Sequence, residues 1–87
     1  MSGFIISEDV LTQEVAGETV LLDLASESFF GLDEVGTRIW QLLKEGRGRT
    51  ELIDLLLTEY DVERPDLERD VDELLAQLTD AGLIRRD

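Results

Sequence analysis

The chain has 87 residues, 43 % of them apolar and 33 % charged, which suits one folded domain with a single modest core rather than a disordered chain. It contains neither cysteine nor histidine, so a disulfide scaffold, a thiolate nucleophile and the commonest general base and transition-metal ligand are all excluded. The formal charge of −13 sits at the ends: residues 1–32 hold six carboxylates and no lysine or arginine, and the last third is acidic again, so both ends repel a polyanion.

Met1 to Val10 lacks a basic start and a long apolar run, and no apolar stretch is long enough to span a bilayer, so a cytoplasmic chain without a membrane partner is expected. Phe4-Ile5-Ile6 is too short to be more than a first extended piece or an ordered tail. Val10 to Val15 and Glu18 to Leu24 are β-prone runs separated by Ala16-Gly17, the spacing of a tight hairpin. In the second run the alternation is expected to turn Val20, Leu22 and Leu24 to the core and Thr19, Leu21 and Asp23 away from it. Ala25-Ser26-Glu27 is a second turn.

Ser28-Phe29-Phe30-Gly31-Leu32 is then a third strand, with Ser28, Phe30 and Leu32 on one face and Phe29 and Gly31 on the other. Phe29 is either covered by Phe4-Ile5-Ile6 or left as an exposed aromatic anchor. The period changes at Asp33, a good N-cap, after which Val35, Ile39, Leu42 and Leu43 fall on one helical face. Gly36 inside that helix costs about 1 kcal/mol relative to alanine, which points to close approach of another backbone.

Helices are expected over about 33–45, 50–60 and 66–81. The second starts at Thr50 as cap and carries Leu52, Ile53, Leu55, Leu56, Leu57 and Tyr60, an arc broad enough to need cover on more than one side. The third has Asp66 as its cap, after a Pro65 that holds Arg64 extended. It carries Leu67, Val71, Leu74, Leu75 and Leu78 and stops at Gly82, beyond which Leu83 and Ile84 fold back. The fold class is therefore α+β: an N-terminal three-stranded antiparallel β-meander at about 10–32, followed by three helices, in a winged helix-turn-helix-like arrangement forming a single domain over 1–87.

Several residues carry a resemblance in their combined order and spacing: Gly17-Glu18-Thr19-Val20-Leu21-Leu22-Asp23-Leu24, Phe30-Gly31-Leu32-Asp33, Val35-Gly36, Ile39-Trp40, Tyr60-Asp61-Val62, Asp70-Val71, and Leu78 to Leu83 with Gly82. Over about residues 10 to 84 the chain resembles the PqqD-like family of peptide-recognition domains, which bind the leaders of ribosomally made precursor peptides. Its aromatic strand, its Gly36 and Trp40 one turn apart and its stand-alone length look like the free-standing members of lasso-peptide pathways. The alternative within the resemblance is a peptide chaperone for a radical-SAM enzyme.

The resemblance implies a non-catalytic adaptor that needs no cofactor and presents a leader to a leader-cleaving cysteine protease subunit and an ATP-dependent macrocyclase. A meander whose last strand is an edge can be completed by an extended peptide, whose inward side chains would meet the third helix. The expected peptide-binding residues are Leu22, Ala25, Ser26, Glu27, Ser28, Phe29 and Phe30 on the strand side, and Leu67, Asp70, Val71, Glu73, Leu74, Gln77 and Leu78 on the helix side. Most of the large apolar ones can equally be core, and the carboxylates of Asp70, Asp72 and Glu73 either flank the groove and attract a basic leader or merely form a solvated face.

Three other classes fit worse. DNA binding by a winged helix is opposed by Asp66, Glu68, Asp70, Asp72 and Glu73 around a lone Arg69 on the recognition-helix candidate. An acyl carrier protein needs a serine after an aspartate at a helix start, and none of Ser2, Ser7, Ser26 and Ser28 is so placed. An enzyme lacks histidine, cysteine, a phosphate-cradling loop and a metal-ligand cluster in the sequence.

Overall fold

A computed structural model describes residues 3–86; Met1, Ser2 and Asp87, the ends of the expected 1–87 domain, lie outside the described residues. The elements run β1 (Phe4–Ile6), β2 (Val10–Val15), β3 (Glu18–Asp23), β4 (Ser28–Leu32), α1 (Glu34–Lys44), α2 (Arg49–Glu59), α3 (Arg64–Asp80) and β5 (Ile84–Arg86). The meander is an antiparallel sheet in the order β2-β3-β4, which makes β4 an edge. A second, two-stranded sheet pairs β1 with β5, Phe4 opposite Arg86 and Ile6 opposite Ile84. Thus the N-terminal piece meets the C-terminal one and leaves Phe29 uncovered, at 75 % exposure.

The β2–β3 hairpin closes on Ala16-Gly17 with φ of +54° and +82°, the two positive angles of a tight turn whose twist matches that of the strands. In β3 the faces are the reverse of the expectation. Thr19, Leu21 and Asp23 are buried, whereas Val20 and Leu24 are exposed and Leu22 is half-buried. Counting aliphatics favours the wrong face, because the register is fixed by partners the count ignores. Leu21 pairs with Phe30 and Thr19 with Leu32, while Asp23 turns inward to close the next turn, accepting from Ala25 N at 3.2 Å and Ser26 Oγ at 2.8 Å. A one-residue difference in phase exchanges every side chain between faces.

Asp33 caps α1 as expected, its carboxylate accepting from Gly36 N at 2.8 Å. A Cβ at Gly36 would lie 3.2 Å from Asp33 Oδ1 and 3.3 Å from Leu32 Cβ, so the close neighbours are the capping side chain and Leu32 rather than another backbone. The other two helix starts differ from expectation. Gly48 stands at the cap of α2 with no side-chain bond, placing Thr50 inside the helix. Glu63 stands at the cap of α3 and Pro65 lies in its first turn, where no N–H is required, so Arg64 is helical and Asp66 adds favourable negative charge to that turn. At its other end Gly82, φ +76°, donates to Thr79 O and Leu83 N donates to Leu78 O, the paired bonds that stop a helix and turn the chain back.

The core joins Leu21 and Leu32 of the sheet to Ile39, Trp40, Leu42 and Leu43 of α1, Leu52, Ile53 and Leu56 of α2, Leu67, Val71, Leu75 and Leu78 of α3, and Leu83 and Ile84. Each such side chain stabilises the fold by roughly 1.5–3 kcal/mol on full burial. Trp40 satisfies its indole by donating to Thr12 Oγ1 at 3.2 Å, which ties α1 to the inward face of β2. On α2 the flanking Leu55, Leu57 and Tyr60 are only partly buried, so its broad arc is covered in the middle and open at the margins.

Candidate functional site

The free edge of β4 has a definite polarity. Around the two-residue turn Val15 pairs with Glu18, and at the far end Leu24 N donates to Asp9 O, so even-numbered residues of β3 bond to β2. Antiparallel ladders alternate, so the odd-numbered residues Thr19, Leu21 and Asp23 bond to Leu32, Phe30 and Ser28. The backbone N–H and C=O of Phe29 and Gly31 therefore point away from the sheet. These are the groups that an added strand would pair.

Beside this edge runs a groove of ≈ 480 Å³. One wall is Phe30, Gly31 and Leu32 of β4, the end is Asp33 with Val35, Gly36 and Ile39 of α1, and the other wall is Asp70, Glu73, Leu74 and Gln77 of α3. The four α3 positions fall on one helical face, offset from the buried stripe of Leu67, Val71, Leu75 and Leu78. The groove's ionisable groups are Asp33, Asp70 and Glu73, with no lysine or arginine among its lining residues. The lining thus combines apolar side chains with carboxylates beside a strand edge that has free backbone groups.

A second hollow of ≈ 390 Å³ adjoins the groove, sharing Val35 and Asp70 with it. Its apolar lining is Val35, Tyr60, Val62 and Leu67, and its rim is Asp61, Glu63, Asp66 and Asp70. Burial, followed by the nearby Glu34 carboxylate, pushes the Tyr60 phenol above its ordinary range.

The expected site residues separate into four groups. Phe30, Asp70, Glu73, Leu74 and Gln77 line the groove. Leu67, Val71 and Leu78 are core side chains, at 4 %, 0 % and 0 % exposure, although Leu67 also borders the second hollow. Ala25, Ser26 and Glu27 form the exposed β3–β4 turn, and Ser28 pairs with Asp23 at the strand start. Leu22 and Phe29 lie on the sheet face turned away from α1, where Leu22 pairs with Phe29.

Asp72 belongs elsewhere. It takes a two-pronged ion pair from Arg49, 2.6 and 3.0 Å, on the α2 side of α3, and this hydrogen-bonded guanidinium holds its carboxyl below the usual range. Six groove residues lie outside the expected set: Gly31, Leu32 and Asp33 at the strand end and Val35, Gly36 and Ile39 of α1, where the sequence assigns Val35 and Ile39 to an apolar helical face and Gly36 to a close backbone approach; the N-cap signal at Asp33 already sets the start of α1 beside the strand end.

The family model for "Coenzyme PQQ synthesis protein D (PqqD)" matches residues 18–84. The chain belongs to the PqqD family. Among solved structures, TbiB1 in complex with the TbiA(beta) leader peptide is 42 % identical, with a TM-score of 0.86 over 92 % of this chain and 93 % of that one. A lasso peptide synthetase B1 complexed with the leader peptide is 29 % identical, with a TM-score of 0.85 over 94 % and 96 % of the two chains. A comparison with curated proteins gives no significant match. The PqqD-family resemblance read from the sequence, and its likeness to the lasso-peptide branch, agree with these matches.

Proposed function

We propose that this PqqD-family chain is a leader-peptide-binding adaptor of lasso-peptide biosynthesis, acting without catalysis of its own. The observation that carries it is the juxtaposition of a β4 edge, free at Phe29 and Gly31, with an apolar-floored groove whose ionisable lining residues are all carboxylates. An extended leader adds to β4 through its backbone, which supplies affinity, while its inward side chains enter the groove against α3, which supplies selectivity. The 42 % identical TbiB1, solved with a leader peptide, supports this reading.

The Asp70 and Glu73 carboxylates attract a cationic leader residue and fix its register. The partners are then the precursor's leader, a leader-cleaving cysteine protease subunit and an ATP-dependent macrocyclase. The sign of α3, whose groove-side charges are both negative, argues against DNA as a ligand. Calorimetric titration with the TbiA(beta) leader tests the reading. Saturable binding is expected, and no binding at about 50 μM by a folded protein, an affinity weaker than about 6 kcal/mol, would reject it.

A further inference from the structure

Gly31 is a glycine that the fold itself does not call for. It sits inside β4, its φ is not positive, and the β3–β4 register runs unbroken past it from Ser28 to Leu32, so neither a left-handed backbone nor a bulge requires it. Crowding does not require it either, since a Cβ built there would meet nothing within 4 Å. A glycine in a strand interior weakens the strand relative to a β-branched residue. The remaining use of such a glycine is to admit a ligand that comes close.

The ladder says from which side the ligand comes. Gly31 turns its N–H and C=O outward at the free edge, so an added strand bonds there and sets its own residue opposite, with the two Cα atoms about 5.5 Å apart. On its other flank Gly31 faces Val20, in a pair without ladder bonds, the closer kind at about 4.5 Å. Residues directly opposite share a face, so Val20, position 31 and the added residue form one row on the side of the sheet turned away from α1. Val20 and the added residue are then roughly 10 Å apart with no side chain between them. Phe29, two residues earlier on the same face and largely exposed, closes one end of this slot. The floor of the slot is backbone, and Val20 and Phe29 are apolar walls.

We propose that Gly31 is a specificity-determining residue: the slot above it takes an aromatic or long aliphatic side chain from the leader residue opposite, which lies across the glycine and packs on Val20 and Phe29. A small side chain at that leader position leaves the slot empty. This rests on the leader-binding reading. It adds a determinant on the outward side of the added strand, whereas the groove meets the inward side.

An alanine scan of the TbiA(beta) leader, titrated calorimetrically onto the full chain and onto Gly31→Val, tests this. With wild type, alanine at one outward leader position should weaken binding by about tenfold. In Gly31→Val the new side chain fills the slot, so the unaltered leader should bind about fivefold less tightly and the same alanine should cost about twofold or less, a coupling expected of groups in contact. Alanines at inward positions should cost the same on both proteins. The Tm of free Gly31→Val should not fall, because a β-branched residue replaces glycine in open space. Val20→Ala alters the slot from β3 without touching the β4 edge, and should reduce the cost of the same leader alanine to about threefold. Costs that match wild type at every leader position in both variants would overturn the proposal and leave the groove reading standing. Wild-type protein that binds no leader would overturn both.

Discussion

At the scale of single residues the acidic stretch of α3 shows why side chains of the same charge have unlike roles. Asp70, Asp72 and Glu73 are all carboxylates, but successive helix positions turn by about 100°. Asp70 and Glu73 therefore face the groove while Asp72 faces Arg49 of α2. Asp70→Asn/Glu73→Gln should slow association of a lysine-bearing leader by about three- to tenfold at low salt and flatten its salt dependence, with dissociation changed less. Asp72→Asn should leave both rates alone. Stopped-flow mixing at low and high salt measures this, and equal slopes for wild type and the double variant would return Asp70 and Glu73 to a solvated face. The apolar α3 residues were legible only as a set: Leu74 is a groove residue and Val71 a core one because the stripe facing α1 and α2 is filled first.

At the scale of elements, the third strand running into a capped helix was legible because three signals agreed: an aromatic alternation, a stop at Gly31 and an N-cap at Asp33. The face of β3 was not legible, since aliphatic residues occupy both of its phases and only the partners across the ladder choose between them. The β1–β5 sheet was not legible either, because two three-residue pieces at opposite ends of the chain carry no local sign of pairing. The ladder polarity of β4 yields a sharp expectation. In the free protein the amides of Ser28 and Phe30 should exchange slowly, and those of Phe29 and Gly31 should become slow only on leader addition. Phe29→Pro, which removes an outward donor, should weaken leader binding by about 1 kcal/mol with the fold intact, whereas Ser28→Pro should break a ladder bond and lower Tm. Hydrogen exchange followed by mass spectrometry or NMR reads the first pair of outcomes; protection confined to α1 and α2 would misplace the groove.

At the scale of the whole molecule, 21 carboxylates face eight cationic side chains, and most of the arginines are engaged: Arg38 with Glu59, Arg47 with Glu45 and Glu51, Arg49 with Asp72, and Arg64 with Asp54 and Glu68. Cations are thus spent on linking α1 to α2 and α2 to α3, and Arg69 stands 3.8 Å from Asp70, while no lysine or arginine is among the residues that line the groove. Two opposing pH effects follow. Acidification relaxes the general repulsion and stabilises the fold, but it also removes the ion pairs. The Arg49 guanidinium depresses Asp72 below its ordinary 3.8, and the Arg38 guanidinium depresses Glu59 below its ordinary 4.5. A carboxylate depressed in the folded state contributes stability that is complete above its ordinary value and is lost as pH falls through the depressed one. Comparing wild type with Asp72→Asn separates this from the repulsion, which both proteins share, in about 0.15 M salt where charges beyond about 8 Å are screened. The Tm difference should favour wild type and stay level from neutral pH to just above 4, then shrink towards zero as the pH falls further, because both proteins then lack a charge at position 72. A difference that persists undiminished to pH 2 would mean that Asp72 stabilises the α2–α3 contact by something other than its charge.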